Sequence, residues 1–430
     1  MKPTTKHDSP PKISVLKKAL LVAIYRSTDE KPQCEEYLDE LERLCETYGL
    51  ETVAKVPCPI KKITAATLLG KGKLEELAKL IQEKEIDVVL FDDEISPHQQ
   101  RNLEKIFNKA VIDRTELILE IFAQRAQTRE AKLQIELAKV KYEMPRLKRM
   151  WTHLSRQTAG GGGYLKGEGE KQIELDRRML RRRIDRLQSE IEEVRSQRHT
   201  QRSARLRSGV PTFAIVGYTN AGKSTLLKAL TQAEVLVEDK LFATLDTTTR
   251  KYVLPNKQQI LLIDTVGFIR KIPHTLIAAF KSTLEEAVHT DILLHVIDAS
   301  HPTAQAQAEA TFQVLKDLGA DDLPIINVLN KIDLCQNPLM WQRLRIKYPK
   351  SIPISALHKT GFLELLSLMT EEIGKLRKVV KLRIPQSHYA LVSELMRLGK
   401  VITCEYEEND ILLHVEIPSQ LEHRVHPFVI

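Results

Sequence analysis

The eight residues Gly217-Tyr218-Thr219-Asn220-Ala221-Gly222-Lys223-Ser224, with Thr225 next, fit the spacing GxxxxGK[ST]. They follow the apolar run TFAIV and lead into STLLKAL, a helix start, and a strand-loop-helix context is what gives this spacing its meaning. Gly217 and Gly222 permit a tight loop whose backbone N–H groups ring phosphates. Lys223 reaches the β- and γ-phosphates, and the Ser224 hydroxyl suits Mg²⁺. A second piece, Asp264-Thr265-Val266-Gly267, ends the apolar run QILLI. There Asp264 holds Mg²⁺ through water, and Gly267 lets a backbone N–H face the γ-phosphate. Lys223 and Gly267 are therefore the candidates for direct action on the transferred group.

Base selection falls to Asn330-Lys331-Ile332-Asp333, after the run IINVL. One carboxylate accepts two hydrogen bonds from guanine N1–H and N2–H₂. Adenine lacks that donor pair and would leave Asp333 unpaired. The Lys331 stem packs along the base, and Asn330 braces the phosphate loop. A fourth piece, Ser355-Ala356-Leu357, places the Ala356 amide on guanine O6. All four pieces stand at the C-terminal ends of strand-like runs, where ligands sit in open α/β sheets. Together they predict a GTP-binding domain using Mg²⁺.

Between the first two pieces lies Phe242-Ala243-Thr244-Leu245-Asp246, followed by Thr247, Thr248 and Thr249. A switch loop needs one threonine hydroxyl on Mg²⁺. Composition does not choose among the four threonines. After Gly267 comes Phe268, where many GTP-hydrolysing proteins keep a polar side chain to orient the attacking water.

These loops need strands and helices to hold them, and the chain of 430 residues divides into four parts. Residues 1–115 read as an α/β unit, with strands at ALLVAI, TVAKV and VVLFDD and a helix opened by Ser96-Pro97. GKGK at 70–73 lacks the third glycine of a dinucleotide fingerprint and reads as a basic turn. Residues 116–208 read as a helical hairpin. One helix opens at Asp113 with Glu116 three residues on and runs to Met144, where Pro145 stops it. The other runs from Ile173 to Arg207, with Leu180, Ile184, Leu187, Ile191 and Val194 as a heptad seam facing Leu133, Leu137 and Val140. The GTP-binding domain takes 209–375, a mostly parallel sheet with helices on both faces. Residues 376–430 form a small α+β domain with a helix at HYALVSELMRL and a hairpin around EEND.

The net charge of +8 is local. Lys141 to Arg207 carries 18 Lys and Arg against 9 Asp and Glu, so this segment holds the whole excess and points to a phosphate-rich partner. The hairpin tip offers Arg146, Lys148, Arg149, Arg156 and Lys166 as cations, Gly160 to Gly163 for close approach, and Trp151 and Tyr164 to stack on bases. A solvated basic linker is the competing reading. No apolar run reaches the roughly 18 residues of a membrane span, and MKPTTKHDSPPK lacks a signal core. Cys34, Cys45, Cys58, Cys335 and Cys404 are scattered, as structural thiols in a reducing cytoplasm would be.

GYTNAGKST, FATLD and DTVGFIR in succession resemble the Obg–HflX group of translation GTPases, and the N-terminal half narrows this to the HflX family. The stretches LLGKGKLEEL, VVLFDDEISPHQQRNLE and GGGGYLKGEGEKQIELDRR all look like that family, and the likeness spans roughly 18 to 375. It implies a cytoplasmic, monomeric GTPase that binds the large ribosomal subunit and its RNA and splits or rescues stalled ribosomes. No DNA partner and no stable membrane insertion are implied; peripheral membrane association is the compatible alternative. It also favours Thr244 as the second Mg²⁺ ligand beside Ser224, with Asp264 acting through water, and an apolar residue at Phe268 is usual in similar GTPases. Two departures stand out. Thr247 occupies the place of a common proline, and Lys166-Gly167-Glu168-Gly169-Glu170-Lys171 stands where Arg-Gly-Pro-Gly-Glu-Thr is usual. A subunit-assembly role and a regulatory switch recruiting a protein or membrane partner remain open beside splitting and rescue.

Overall fold

The computed structural model describes residues 17–146, 166–207, 210–231, 241–242, 245, 247–271, 288–407, 409–418 and 421–430. Their contacts form two compact units, residues 1–121 with 142–177 and residues 122–141 with 178–430.

In the first unit, four parallel strands line up as β2-β1-β3-β4: β1 (Lys17–Tyr25), β2 (Leu50–Pro59), β3 (Val88–Phe91) and β4 (Ala110–Asp113). Helices α1 (Lys31–Tyr48), α2 (Lys71–Glu83) and α3 (Pro97–Phe107) make the crossovers. Ser96 accepts from the Gln99 N–H while Gln99 accepts from the Ser96 N–H, closing a capping box at α3. Strand β4 is additional to the three expected strands. Its four residues are too few to show a period of two, and Val89 and Val111 pair it to β3.

The expected helix from Asp113 to Met144 is two helices, α4 (Arg114–Arg125) and α5 (Arg129–Glu143). Thr128 Oγ1 accepts from the Ala131 N–H and starts the second, an N-cap inside a stretch whose apolar period alone reads as continuous. Asp113 does cap the first, accepting from the Glu116 N–H at 2.9 Å. The Glu116 carboxylate accepts from Gln100 Nε2 and Tyr142 Oη.

Helix α6 (Lys166–Arg207) begins seven residues before the expected Ile173. Leu133, Leu137 and Val140 of α5 pack with Leu187 and Ile191 of α6, flanked by Leu180, Ile184 and Val194, as the heptad seam predicts. Ion pairs Arg183–Glu136 and Arg129–Glu190 run in opposite senses along the two helices, so the hairpin is antiparallel.

One residue expected at the basic tip is elsewhere. Arg146 is buried; its guanidinium donates to Ile95 O, Gln100 Oε1 and Tyr142 O and pairs with Asp113. It closes a polar network in the first unit and is unavailable as a cation for a partner. Lys148, Trp151, Arg149, Arg156, Gly160 to Gly163 and Tyr164 lie outside the described residues.

The second unit contains a six-stranded sheet in the order β10-β9-β8-β5-β7-β6. Its strands are β5 (Thr212–Gly217), β6 (Thr248–Val253), β7 (Gln259–Asp264), β8 (Ile292–Asp298), β9 (Ile325–Asn330) and β10 (Ser351–Pro353). Only β6 is antiparallel to its neighbour. Helices α7 (Lys223–Thr231), α8 (Ala304–Asp317), α9 (Leu339–Lys347) and α10 (Phe362–Lys375) accompany it. The uninterrupted apolar strands Phe213–Val216 and Ile292–Leu294 are buried, as strands covered on both faces must be.

The C-terminal part has β11 (Arg377–Pro385), α11 (Tyr389–Leu398), β12 (Lys400–Tyr406), β13 (Asp410–Pro418) and α12 (Glu422–Val425), with sheet order β11-β13-β12. The expected helix and hairpin are present; β11 is additional to them. Burial pushes the Cys45 and Cys58 thiols up to about 12, so both are inert packing groups.

Candidate functional site

The four sequence pieces meet at one edge of the six-stranded sheet, at the ends of β5, β7, β9 and just beyond β10. The register Ile215↔Asp264, Gly217↔Val296 and Asp298↔Asn330 sets them side by side. Leu226, Leu227 and Leu230 anchor α7 on the core, which fixes the loop that precedes it.

Within that loop, Asn220 and Gly222 have φ of 60° and 96°. A Cβ on Gly222 would fall on Asn330 Nδ2, so the glycine is required by strained backbone and by close approach. Lys223 is buried, and its ammonium donates to Gly217 O at 3.1 Å and Tyr218 O at 2.7 Å. Burial lowers its pKa to about 8, with Asp264 opposing and Lys331 reinforcing the shift. Ser224 Oγ donates to Asp264 Oδ2 at 3.0 Å. A hydroxyl beside a fully buried carboxylate is a donor set that suits a hard divalent cation. Thr225 is half-buried in the first turn of α7, and Ala221 is buried beneath the loop.

The Asp264–Gly267 segment is docked on the phosphate loop. Thr265 Oγ1 donates to Ile215 O, and Val266 is buried. The Thr219 N–H donates to Phe268 O at 2.7 Å, and the Phe268 N–H to Gly217 O at 3.0 Å. A Cβ on Gly267 would lie 2.8 Å from Lys223 Nζ and 2.9 Å from Thr219 Cα. Tyr218 Oη accepts from the Arg270 N–H and extends the docking by two residues. The Phe268 ring is 2% exposed. It is a packing residue: the position held by a water-orienting side chain elsewhere presents none here.

Asn330 makes the brace expected of it. Its Nδ2 donates to Ala221 O and its Oδ1 accepts from the Ala356 N–H, both at 2.9 Å. The second bond engages the Ala356 amide, the group expected to meet guanine O6, and ties its loop to the phosphate loop through Asn330. Ser355 is buried and accepts from the His358 N–H, while Leu357 is 71% exposed. Lys331 has φ of 64° and pairs with Asp298 Oδ2 at 2.8 Å, which fixes its stem. Ile332 opens a short turn that carries Asp333, and His358 Nε2 lies 4.0 Å from Asp333 Oδ2. Asp298 and His358 lie outside the motifs; only the spacing of Asp298 at the end of an apolar strand hinted at it.

In the switch segment, Phe242 and Leu245 are buried, and Phe242 takes φ of 57°. The Phe242 ring meets Phe122 edge-on at 4.5 Å, a contact across 120 positions that no local pattern announces. Ala243, Thr244 and Asp246 lie outside the described residues, so the expected ligand Thr244 does too. Thr248 opens β6 directly opposite Asp264.

Three family models cover the chain in order. They are described as GTP-binding GTPase N-terminal over 35–123, GTP-binding GTPase Middle Region over 125–205, and 50S ribosome-binding GTPase over 212–331. GTPase HflX of Chlamydia pneumoniae is 48% identical over 425 residues, 98% of this chain and 90% of that protein. GTPase HflX of Caldanaerobacter subterraneus subsp. tengcongensis is 44% identical over 413 residues, 96% of this chain and 94% of that protein. A solved structure described as a complex of SsGBP and GDP is 28% identical, with a TM-score of 0.48, covering 83% of this chain and 98% of its own.

Proposed function

Because this chain belongs to the HflX family of GTPases, we propose that it binds the large ribosomal subunit and uses GTP hydrolysis to split or rescue stalled ribosomes. The observation that supports the ribosomal part is the match of residues 212–331 to the family described as 50S ribosome-binding GTPase. The arginines of α6 add to it: Arg177, Arg178, Arg181, Arg182, Arg183 and Arg186 are exposed, a cationic surface for RNA phosphates. Among the described residues no helix is long and apolar enough to cross a membrane.

In this reading Asp333 selects guanine, and Asn330 holds the phosphate loop and the 355–357 loop in one register. Lys223 exchanges its carbonyl partners for phosphate oxygens, which restores the charge that burial disfavours. Ser224, Asp264 and Thr244 would hold Mg²⁺, which when bound would supply neutralisation of the charge that develops on the phosphates. Because Gly267 is pressed between Lys223 and Thr219, a shift of either is felt at the segment that starts with Phe268. That makes the Asp264–Phe268 strand end the sensor of the γ-phosphate. No polar side chain orients the attacking water at Phe268, so the isolated protein hydrolyses GTP slowly. The large subunit orders the switch segments and positions the water, and a group supplied in this way is worth roughly 10³–10⁵ in rate.

Sedimentation tests the splitting role. Assembled ribosomes incubated with the protein and GTP should resolve into separate subunits, and should stay assembled with GDP. Intact ribosomes under both conditions would overturn splitting and leave subunit assembly as the reading to pursue.

A further inference from the structure

Thr248 carries a hydroxyl that no hydrogen bond among the described residues uses. Its Oγ1 is shut off from solvent and has no hydrogen-bond partner among the described residues. A buried unpaired hydroxyl is costly, and such groups are rare in folded proteins. Valine would fill the same volume in a strand without that cost.

The register says what the hydroxyl faces. Thr248 and Asp264 are directly opposed in the antiparallel pair of β6 and β7, so their side chains share one face of the sheet. On that face Asp264 receives the Ser224 hydroxyl at 3.0 Å. Thr249, the next residue, is exposed, pairs with Ile263 and points to the opposite face. The orphaned group therefore stands beside the cation-binding pair and is closed to bulk water.

We infer that Thr248 is a positioning residue for the hydrated divalent cation, its hydroxyl taking a hydrogen bond with water bound to the ion at Ser224 and Asp264. The inference rests on the reading of that pair as the Mg²⁺ site. Asp264 and Thr248 together bracket the water from adjacent strands, which ties the start of β6, and with it the switch loop just before, to the presence of the ion. Without the ion the hydroxyl is stranded.

Two measurements on Thr248→Val, Thr248→Ser and Thr249→Val test this. The first is the Mg²⁺ dependence of release of a fluorescent GDP analogue. In the wild type, Mg²⁺ slows release. In Thr248→Val the Mg²⁺ concentration for half the effect rises about five- to tenfold, as expected for one lost water-mediated hydrogen bond. Thr248→Ser and Thr249→Val remain within about twofold of the wild type. The second is thermal unfolding of the nucleotide-free protein, where Thr248→Val is as stable as the wild type or more so, because the unpaired hydroxyl is gone. A merely structural threonine would give the reverse, lower stability with unchanged Mg²⁺ dependence, and that result overturns the inference. Unchanged Mg²⁺ dependence in Thr248→Val at any stability overturns it too. Release that ignores Mg²⁺ in the wild type would remove the cation site itself, and the inference with it.

Discussion

Lys223 and Gly267 carry the account at the scale of single residues. Lys223 sits at about 8 without nucleotide because it is desolvated, and phosphate oxygens would raise it again. Binding therefore takes up a proton where the free ammonium has begun to lose its own, and affinity falls as pH rises above about 8. Calorimetric titration of GDP at pH 8 in buffers of different ionisation enthalpy should report uptake of about half a proton. No uptake would mean that the ammonium keeps its charge in the empty loop. For Gly267→Ala the added Cβ meets the Thr219 backbone at 2.9 Å, which cannot swing aside as the lysine tip can. Hydrolysis should fall roughly a hundredfold through misplacement of the segment, with GDP affinity changed by only a few-fold. Equal losses in both would place the strain in the phosphate loop itself. The residues of this site were largely legible in sequence, because glycine, lysine and asparagine at fixed offsets leave few other uses. The bond from the Ala356 amide to Asn330 was not, since it depends on which way Asn330 turns, and Thr248 was one of four equivalent threonines until β6 paired with β7.

At the scale of elements, long periodic segments were readable and short or interrupted ones were not. The seam of α5 and α6 follows from apolar spacing alone. Strand β4 and the break at 126–128 do not, because four residues show no period and one capping threonine outweighs a continuous stripe. Arg146 illustrates the same limit. Its neighbours in sequence are basic and its partners, Asp113, Gln100 and Ile95, are remote, so charge counting put it on the wrong surface. Arg146→Ala should destabilise the first unit by about 3 kcal/mol by leaving the buried Asp113 carboxylate without its paired cation. Arg146→Lys should also lose stability, since an ammonium cannot reach the four acceptors a planar fork serves. Thermal unfolding with hydrogen exchange over α3 and β4 measures both. A lysine variant as stable as the wild type would mean that charge alone matters there.

At the scale of the molecule, the excess charge resides between Lys141 and Arg207, and residues 122–141 and 178–207 cluster with the GTPase sheet. Through Phe122 on Phe242, that helical segment also touches the switch loop. Contacts that join residues far apart in the chain, such as Phe122 on Phe242, were beyond the sequence. The central claim is that nucleotide chemistry is completed by the large subunit. Its most direct test is the rate of GTP hydrolysis by the full chain, alone and with purified large subunits, over a range of salt, with ATP as control. Expected are a slow basal rate, strong stimulation specific to GTP, and loss of stimulation as salt rises, because arginine contacts to RNA phosphates would be released. A basal rate already equal to the stimulated one, or no response to the subunit despite tight GTP binding, would contradict it.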